Sequence, residues 1–287
     1  MTENTNLTVK FAPYTDEIFK NESRTSLLTN NDFDWTGARS VRIWKFKTAK
    51  MNDYARNIFD DNNEPLNPSR YGKLYDLNAE TEEMLLKKDR SFIFNIDKLD
   101  VDETQGQLEA ASALARQLRE VVIPERDKYI FEEIAKSGVT IEGNAQTKIN
   151  PDNIYANILK SCEFMDGGEV PDTDRVLVVT PEVYSIIKQA KQFDNTDVGA
   201  DLRTLGVIAM LDGMKVIKVS NNMLPKDVKY MIVHPSATVT PVKLEDYNIH
   251  NDTPLASGDI VTGRICYDAF VLENKKDGIV VYKEPAQ

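Results

Sequence analysis

The chain contains few of the residues that carry catalytic and metal chemistry. Its 287 residues include two cysteines, Cys162 and Cys266, and two histidines, His234 and His250. The cysteines rule out a disulfide-rich scaffold, leave a single bridge open, and fit a protein that folds in a reducing compartment. Two histidines exclude a site with several histidine ligands, and the spacing of all four residues does not match known zinc patterns. We therefore expect no metal ion and no cofactor.

Motifs that signal a catalytic or membrane role are also absent. The sequence has no glycine-rich phosphate loop, no dinucleotide fingerprint, no nucleophile elbow and no His-Glu-x-x-His motif. Met1–Asn6 carries neither a basic start nor an apolar run, so it does not resemble a secretory signal. Apolar runs such as Val176–Val179 have the length of a strand, far below the ~20 residues of a membrane helix. The sequence therefore predicts no membrane association.

Acidic residues outnumber basic ones. Lys and Arg number 35 and Asp and Glu number 46, which gives a formal net charge of −11. Because affinity for nucleic acid phosphates comes from clustered Lys and Arg, such a chain is a poor binder of duplex DNA. Hydrophobic residues make up 41% and charged residues 28% of the chain, which is typical of a protein with a core.

The first hundred residues have little core-forming pattern. Residues 1–35 are polar, and we interpret them as an arm that lies on another surface or as a frayed tail. Within residues 36–100, Val41–Lys47 and Ser91–Asp97 have the composition of strands, and the Asp-, Asn- and Pro-rich stretch Asp60–Ser69 predicts a loop tip. A long hairpin of this kind is marginally stable alone in water. We therefore expect a neighbouring subunit to hold it.

Residues 103–137 carry the strongest helical pattern. Apolar side chains recur at spacings of three and four from Leu108 to Val122 and again from Ile130. Pro124 lies inside this pattern and removes one backbone hydrogen bond, so we expect a kink or a break there. The pattern predicts one helix of about 20 residues, or a kinked helix of more than 30, against an average of about 12.

The rest of the chain first alternates helices and strands and then becomes rich in strands. Within residues 141–230, the pair Thr180-Pro181 is typical of the start of a helix, and Asp212–Gly213 predicts a tight turn between strands. Residues 231–287 are rich in strands, and Asp277–Gly278 predicts a hairpin turn between the last two. The whole pattern predicts an α+β fold.

Several segments, spread over nearly the whole chain, carry a resemblance to a known family. They are Asp89–Lys98, Asp100–Thr104, Arg116–Glu125 with Asp127 and Tyr129, Val179–Tyr184 and Tyr267–Leu272. In this order they resemble segments of the major capsid proteins of tailed bacteriophages, which have the Hong Kong 97-type fold. No single motif is diagnostic, and the resemblance depends on the collinear set.

The resemblance implies an α+β capsid fold with a role for each part of the chain. Residues 1–35 would be the N-terminal arm, and residues 36–100 the extended loop (E-loop) with its flanking strands, which overlaps the next subunit. Residues 101–140 would form the long spine helix of the peripheral domain, and residues 141–230 the α/β axial domain. Residues 231–287 would be the strands that return from the axial to the peripheral domain.

The resemblance also implies that the chain is a structural protein and not an enzyme. It would assemble with copies of itself into the hexamers and pentamers of an icosahedral shell, which encloses double-stranded DNA without sequence-specific binding. The expected partners are a separate scaffolding protein and a portal, and a decoration protein is a further candidate. The expected location is the capsid of the virion, after assembly in the cytoplasm of the host bacterium.

The extended loop contains candidate contacts between subunits. Trp44 and Phe46 are candidate anchors because aromatic side chains dominate interface energetics; the alternative is burial within the base of the loop. Four arginines are candidates for charge pairs across subunits, and the alternative is a solvated charged face. They are Arg39, Arg42, Arg56 and Arg70. Pro124 is the candidate hinge of the spine helix during maturation of the shell.

Two other functions remain open on the sequence alone. An encapsulin-like nanocompartment would use the same fold to enclose cargo enzymes, although such shells usually lack so developed an N-terminal arm. A soluble α/β enzyme is the second alternative, suggested by residues 141–230 in isolation. The absence of nucleophile, metal and phosphate motifs argues against the enzyme.

Overall fold

The computed structural model of the chain describes residues 23–30, 40–46, 49–54, 56, 59, 70–76, 79–103, 110–143, 148–190, 210–251 and 257–284. The chain divides into two compact units. The smaller unit, Trp35–Leu86, is inserted in the sequence of the larger one, which comprises Met1–Asp34 and Lys87–Gln287.

The smaller unit is built on an antiparallel hairpin. Strand β1 (Ser40–Phe46) pairs with β2 (Ala79–Leu85) in an unbroken register from Ser40 opposite Leu85 to Phe46 opposite Ala79. The strand expected at 41–47 and the long hairpin are therefore present. The unit ends at Leu86 and not near residue 100, because the next strand pairs inside the larger unit.

The larger unit contains a three-stranded antiparallel sheet in the order β10-β11-β3. Its strands are β3 (Lys88–Asp97), β10 (Val242–His250) and β11 (Gly258–Tyr267). Ile96 is buried while Ile93 is 71% exposed, so β3 alternates at the expected period of two. The buried face packs against the start of the long helix through a cluster that includes Ala110 and Val261.

The helical region continues from the end of β3. Helix α1 (Lys98–Glu103) is followed, beyond residues 104–109, by α2 (Ala110–Gln117), a π-helical segment (Leu118–Val122) and α3 (Ile123–Ser137). The residues from 110 to 137 are helical without interruption. The helix therefore does not break at Pro124, and a change of hydrogen-bond register takes the place of the expected break.

The larger unit also contains a six-stranded mixed sheet, in the order β4-β13-β8-β5-β7-β6. Its strands are β4 (Val139–Glu142), β5 (Val176–Val179), β6 (Met210–Leu211), β7 (Met214–Lys218), β8 (Val228–Val233) and β13 (Ile279–Lys283). The last strand, β13, lies between β4 and β8, so strands that are far apart in the sequence meet in one sheet.

Helices cover both faces of this sheet. On one face, α4 (Ile154–Gly167) and α5 (Pro181–Gln189) pack against the odd-numbered β5 residues, Leu177 and Val179. On the other face, α3 packs with the N-terminal segment and Val176 and Val178 into a second cluster. Both faces of β5 are buried, which explains its continuous apolar sequence.

Several local predictions are confirmed, and one is wrong. Thr180 caps α5 by accepting a hydrogen bond from Val183 N, and Asp212 and Gly213 both adopt positive φ in the turn between β6 and β7. The Asp277–Gly278 hairpin turn is instead the end of a 3-10 helix, Glu273–Gly278. The apolar run from residue 260 to 272 divides into β11 and a short β12 (Phe270–Val271), which pairs with β9 (Thr238–Val239).

Candidate functional site

The candidate contact residues of the smaller unit fall into three groups. Arg42, Trp44 and Phe46 occupy alternate positions of β1. Arg56 and Arg70 are exposed near the tip of the unit. Arg39 lies outside the described residues. The strand thus groups one arginine with both candidate aromatic anchors.

The described residues between β1 and β2, called the tip of the smaller unit, expose several large apolar side chains; the predicted loop tip, Asp60–Ser69, lies outside the described residues. Met51 is 99% exposed, Leu74 83% and Tyr71 77%. The two legs of the tip are nevertheless joined, because Asn52 Nδ2 donates to the carbonyl oxygens of Tyr71 at 3.2 Å and Lys73 at 3.3 Å. Ordered apolar side chains that face solvent in one chain are typical of a surface that binds another protein.

The π-helical segment lies directly before Pro124. The N–H of Ile123 donates to the carbonyl oxygen of Leu118, five residues back, and the backbone angles of Val122 and Ile123 remain helical. Pro124 has no N–H to donate, so an ordinary α-helix would leave the carbonyl oxygen four residues earlier without its bond. The wider π turn accommodates this loss within a continuous helix.

One turn after Pro124, the buried carboxylate of Asp127 binds the N-terminal segment. Its Oδ1 accepts hydrogen bonds from Ser23 Oγ and Thr25 Oγ1, each at 2.8 Å, and its Oδ2 accepts one from Arg24 N at 2.8 Å. Burying a carboxylate costs free energy unless it is hydrogen-bonded, and three charge-assisted bonds compensate for it here. This cluster, Asp127 with residues 23–25, is called the Asp127 clasp.

The segment that follows the clasp is also fixed to the larger unit. Leu28 is fully buried in the cluster under α3. Thr238 Oγ1 donates to the carbonyl oxygen of Leu28, and Asn30 N donates to the carbonyl oxygen of Thr238 at 2.9 Å. Residues 23–30, the described part of the predicted N-terminal arm, are therefore packed against their own subunit.

A second buried carboxylate, Asp268, accepts a hydrogen bond from the backbone of Lys87, the first residue after the smaller unit. Its Oδ2 accepts from Lys87 N at 2.8 Å, and its Oδ1 accepts from Tyr129 Oη at 2.7 Å and from Ala269 N at 2.8 Å. Burial, and then the hydrogen bond to Asp268, raise the pKa of Tyr129, so the phenol remains a donor. This cluster is called the Asp268 clasp.

The two clasps attach both chain connections of the smaller unit to one turn of α3. Residues 23–30 precede the unit and Lys87 follows it, while Asp127 and Tyr129 are two residues apart on the helix. The register change at Leu118–Val122 comes immediately before these contacts. One turn of α3 is therefore linked to residues that precede and to a residue that follows the smaller unit in the sequence.

The described residues offer little chemistry beyond these contacts. Among them, no group of three or more His, Cys, Asp and Glu side chains is arranged to hold a metal ion. Burial raises the pKa of the Cys162 thiol to about 11, so the thiol stays protonated. In the same part of the chain, no helix is long and apolar enough to cross a membrane.

Sequence reasoning named Asp127, Tyr129 and Asp268 only as parts of the resemblance and assigned them no role. One signal was available for Asp127. It lies three and seven residues before Ile130 and Ile134, on the apolar face of the helix, where a carboxylate must find donors. For Asp268 there was no comparable signal, because its partners come from residues 87 and 129.

Comparison with known proteins yields matches among solved structures. No family model and no curated protein matches the sequence. A chain from Mycobacterium phage Che8 is 20% identical with a TM-score of 0.75, and the match covers 98% of each chain. A chain from the capsid of the cyanophage P-SCSP1u is 16% identical with a TM-score of 0.74, covering 98% of this chain and 94% of that one. A chain from the mature capsid of bacteriophage PhiM1 is 14% identical with a TM-score of 0.72, covering 97% and 92%.

These matches extend from one end of the chain to the other. They include the inserted hairpin, the long helix and both sheets, since 97–98% of this chain is covered. The similarity lies in the arrangement of the elements and much less in the residues. The chain has the α+β fold of phage capsid proteins, as the sequence predicts.

Proposed function

We propose that this chain is the major capsid protein of a tailed bacteriophage. It assembles with copies of itself into the hexamers and pentamers of an icosahedral shell around double-stranded DNA. The observation that carries the proposal is the end-to-end structural match, which covers 98% of this chain and 94% of a chain from the cyanophage P-SCSP1u capsid. The inserted hairpin, which has little core of its own, has a use in such a shell because a neighbour can bury it.

The proposed roles of the segments follow the predicted divisions. Residues 1–35 are the arm, residues 36–100 are the extended loop with its flanking strands, and residues 101–140 contain the spine helix of the peripheral domain. Residues 141–230 form most of the axial domain, and residues 231–287 return to the peripheral domain. The six-stranded sheet supports the proximity of the last two, because β8 and β13 pair within it.

The proposed contacts between subunits lie on the extended loop. Trp44 and Phe46 anchor the loop on a neighbour, and the arginines of the loop form charge pairs across the interface. These arginines are Arg39, Arg42, Arg56 and Arg70. The exposed apolar tip around Met51 and Leu74 supports an intersubunit role for the loop. Pro124 is the proposed hinge, supported by the π turn beside it.

The proposed partners are those of a shell-forming protein. A separate scaffolding protein and a portal take part in assembly in the cytoplasm of the host bacterium, and a decoration protein is a candidate for the mature virion. The packaged DNA is enclosed and is not bound at specific sequences. The net charge of −11 supports this, because an acidic shell wall does not adhere to DNA phosphates. The chain acts through assembly and not through catalysis.

Electron microscopy of the purified protein, with light scattering alongside, tests the proposal. We expect capsomer rings or closed shells, either from the protein alone or after co-expression with its scaffolding protein. A chain that remains a 32.5 kDa monomer under both conditions would contradict the proposal. The nanocompartment alternative predicts shells as well, and the neighbouring genes separate the two: terminase and portal genes support the phage, and a cargo-enzyme gene supports the nanocompartment.

A further inference from the structure

A cleft of about 200 Å³ lies in the larger unit between three walls. Residues 25–29 of the N-terminal segment form one wall, Arg126 and Ile130 of α3 form the second, and Thr240–Val242 with Tyr267 form the third. The Asp127 and Asp268 clasps fix two of these walls to the helix. The cleft is therefore held in shape by buried hydrogen bonds and is part of the folded subunit.

Arg126 has hydrogen-bonding capacity that the described residues do not use. It is the only cationic side chain among the described residues that line the cleft. Its Nε is buried, and no described residue accepts a hydrogen bond from it. Its Nη1 lies 3.7 Å from Oε1 of Glu245, a half-exposed side chain, which is beyond the length of a good hydrogen bond.

Asp268, the acidic residue that lines the cleft, does not form an ion pair with Arg126. The Asp268 carboxylate accepts from Lys87 N, Ala269 N and the Tyr129 hydroxyl. A buried donor without an acceptor carries a desolvation cost, which a suitable acceptor would remove. The cleft thus combines a guanidinium whose Nε has no acceptor among the described residues with apolar walls from Ile130 and Tyr267.

We propose that this cleft is a socket for an Asp or Glu side chain from a second copy of the chain. The guanidinium fork matches a carboxylate in geometry and charge, and the apolar walls suit the methylene groups of the same side chain. The volume of about 200 Å³ is below that of typical small-molecule sites. Acidic residues outnumber basic ones 46 to 35, so a second copy offers many carboxylates. The inference rests on the proposed assembly into shells.

Paired variants test the socket. Arg126→Met removes the guanidinium and keeps an unbranched side chain, and Lys128→Met, on an exposed residue of the same helix, removes the same charge outside the cleft. We expect Arg126→Met to lower the fraction of subunits in shells about tenfold or more at equal protein concentration, as loss of a buried ion pair does. Lys128→Met changes this fraction less than about twofold, as expected for a surface charge.

The outcomes distinguish failure of the socket from failure of the proposed function. If wild-type protein forms no shells under any condition, the proposed function fails. If wild-type and Arg126→Met form shells equally well, the function stands and the socket is wrong. The unfolding midpoint of dissociated Arg126→Met subunits should match that of wild-type subunits. If the variant subunits are instead destabilised enough to explain their poorer assembly, Arg126 acts within the subunit and the socket is wrong.

Two further measurements identify the occupant. An electron cryomicroscopy map of the wild-type shell, which needs no variant, should place a neighbouring carboxylate oxygen within about 3.5 Å of the Arg126 guanidinium. A map that shows the cleft without a neighbouring side chain contradicts the proposal. Inorganic phosphate is the second probe: if it raises the unfolding temperature of wild-type subunits but not of Arg126→Met, and shells are unaffected by the variant, the cleft binds a free anion instead.

Discussion

Asp127 and Asp268 are buried carboxylates that each accept three hydrogen bonds. Apart from Ala269 N, their partners come from distant parts of the chain, and Ser23 and Thr25 are more than 100 residues away from Asp127. Such a carboxylate stabilises the fold only while its donors stay in place, because an unmatched buried charge is costly. Each aspartate therefore specifies one long-range contact that hydrophobic packing alone would leave loose.

The first prediction concerns the Asp127 clasp. Asp127→Asn replaces one acceptor oxygen with an NH2 group, which is a hydrogen-bond donor and faces the donors of residues 23–25. We therefore expect a loss of about 1–3 kcal/mol in the free energy of unfolding. Urea unfolding of dissociated subunits measures it, and amide exchange of residues 24–30 should become faster. Asp172→Asn, on an exposed aspartate, is the control and should change neither quantity. Equal behaviour of the two variants would show that the clasp is energetically unimportant.

Gly263 carries the second prediction. It lies on β11 between Phe92 and Tyr247, whose rings stack 6.1 Å apart, and an added Cβ would lie 2.3 Å from Cε1 of Phe92. We expect Gly263→Ala to destabilise the subunit by about 1–3 kcal/mol, since the rings must separate. Gly167→Ala, where an added Cβ meets nothing within 4 Å, is the matched control. Thermal unfolding compares them, and similar melting temperatures would contradict the expected clash.

The third prediction is a pH dependence at His234. Its Nδ1 accepts from Ser236 N at 3.3 Å and pairs with Ser236 Oγ at 2.8 Å, which requires that this nitrogen carry no proton. Burial, and then the positive charges of Arg175 and Lys275, lower the pKa of His234, against an opposing effect of Asp174. The unfolded chain therefore binds the proton more readily, and stability falls as the pH drops below the ordinary histidine value of 6.5.

His234→Asn checks this sign. An asparagine oxygen can accept from the same backbone N–H but does not titrate, so the variant should lose less stability than the wild type between pH 7.5 and pH 5.5. Urea unfolding at the two values measures the difference. An identical loss in both proteins would assign the acid sensitivity to other groups.

At the scale of elements, the long helix depends on how it accommodates Pro124. The fourth prediction is that Pro124→Ala restores a backbone donor and lets the π segment Leu118–Val122 revert toward α-helical bonding. The amides of residues 121–123 should then exchange more slowly than in the wild type, and the new amide of residue 124 should be protected as well. Lys128→Ala, in the same helix, should leave this region unchanged. Unaltered exchange in Pro124→Ala would mean that packing, and not the proline, sets the π turn.

Elements with local signals were predictable from the sequence, whereas their long-range pairing was not. Thr180 and the Asp212–Gly213 turn act through neighbouring residues, so their effects are visible in a short stretch of sequence. The position of β13 between β4 and β8 depends on residues more than 130 positions apart, and no local pattern encodes it. The Asp277–Gly278 prediction failed because these two residues end a 3-10 helix, and because β12 pairs with β9 and not with β13.

The candidate site was predictable only in part for the same reason. The strand that carries Trp44 and Phe46 was evident from its composition. The clasps join residues 23–25 to 127 and residue 87 to 268, which are far apart in the sequence. Asp268 taken alone looks like an ordinary surface aspartate, and only its place on the apolar face of the helix distinguishes Asp127. Arg126 likewise looks like one charge of a helical surface until the cleft around it is seen.

At the scale of the whole molecule, the smaller unit is where assembly should be most sensitive to substitution. The fifth prediction is that Trp44→Ala reduces the yield of shells at least several-fold, because a buried aromatic anchor contributes a large share of the binding free energy. The melting temperature of dissociated subunits should change little. Leu74→Ala serves as a comparison at the exposed tip. Assembly of Trp44→Ala with unchanged shell stability would count against the anchor role.

The central place of β13 has a consequence for synthesis of the protein on the ribosome. Translation proceeds from the N-terminus, so β4 and β8 emerge before Ile279–Lys283 and lack the strand between them until Ile279–Lys283 has left the ribosome. A product truncated before β13 leaves β4 and β8 with unpaired edges. It also lacks the side chains that β13 contributes to the hydrophobic clusters on both faces of the sheet, so we expect it to aggregate or to be degraded. The position of one short strand thus acts as quality control, because only chains translated through Lys283 can complete this sheet.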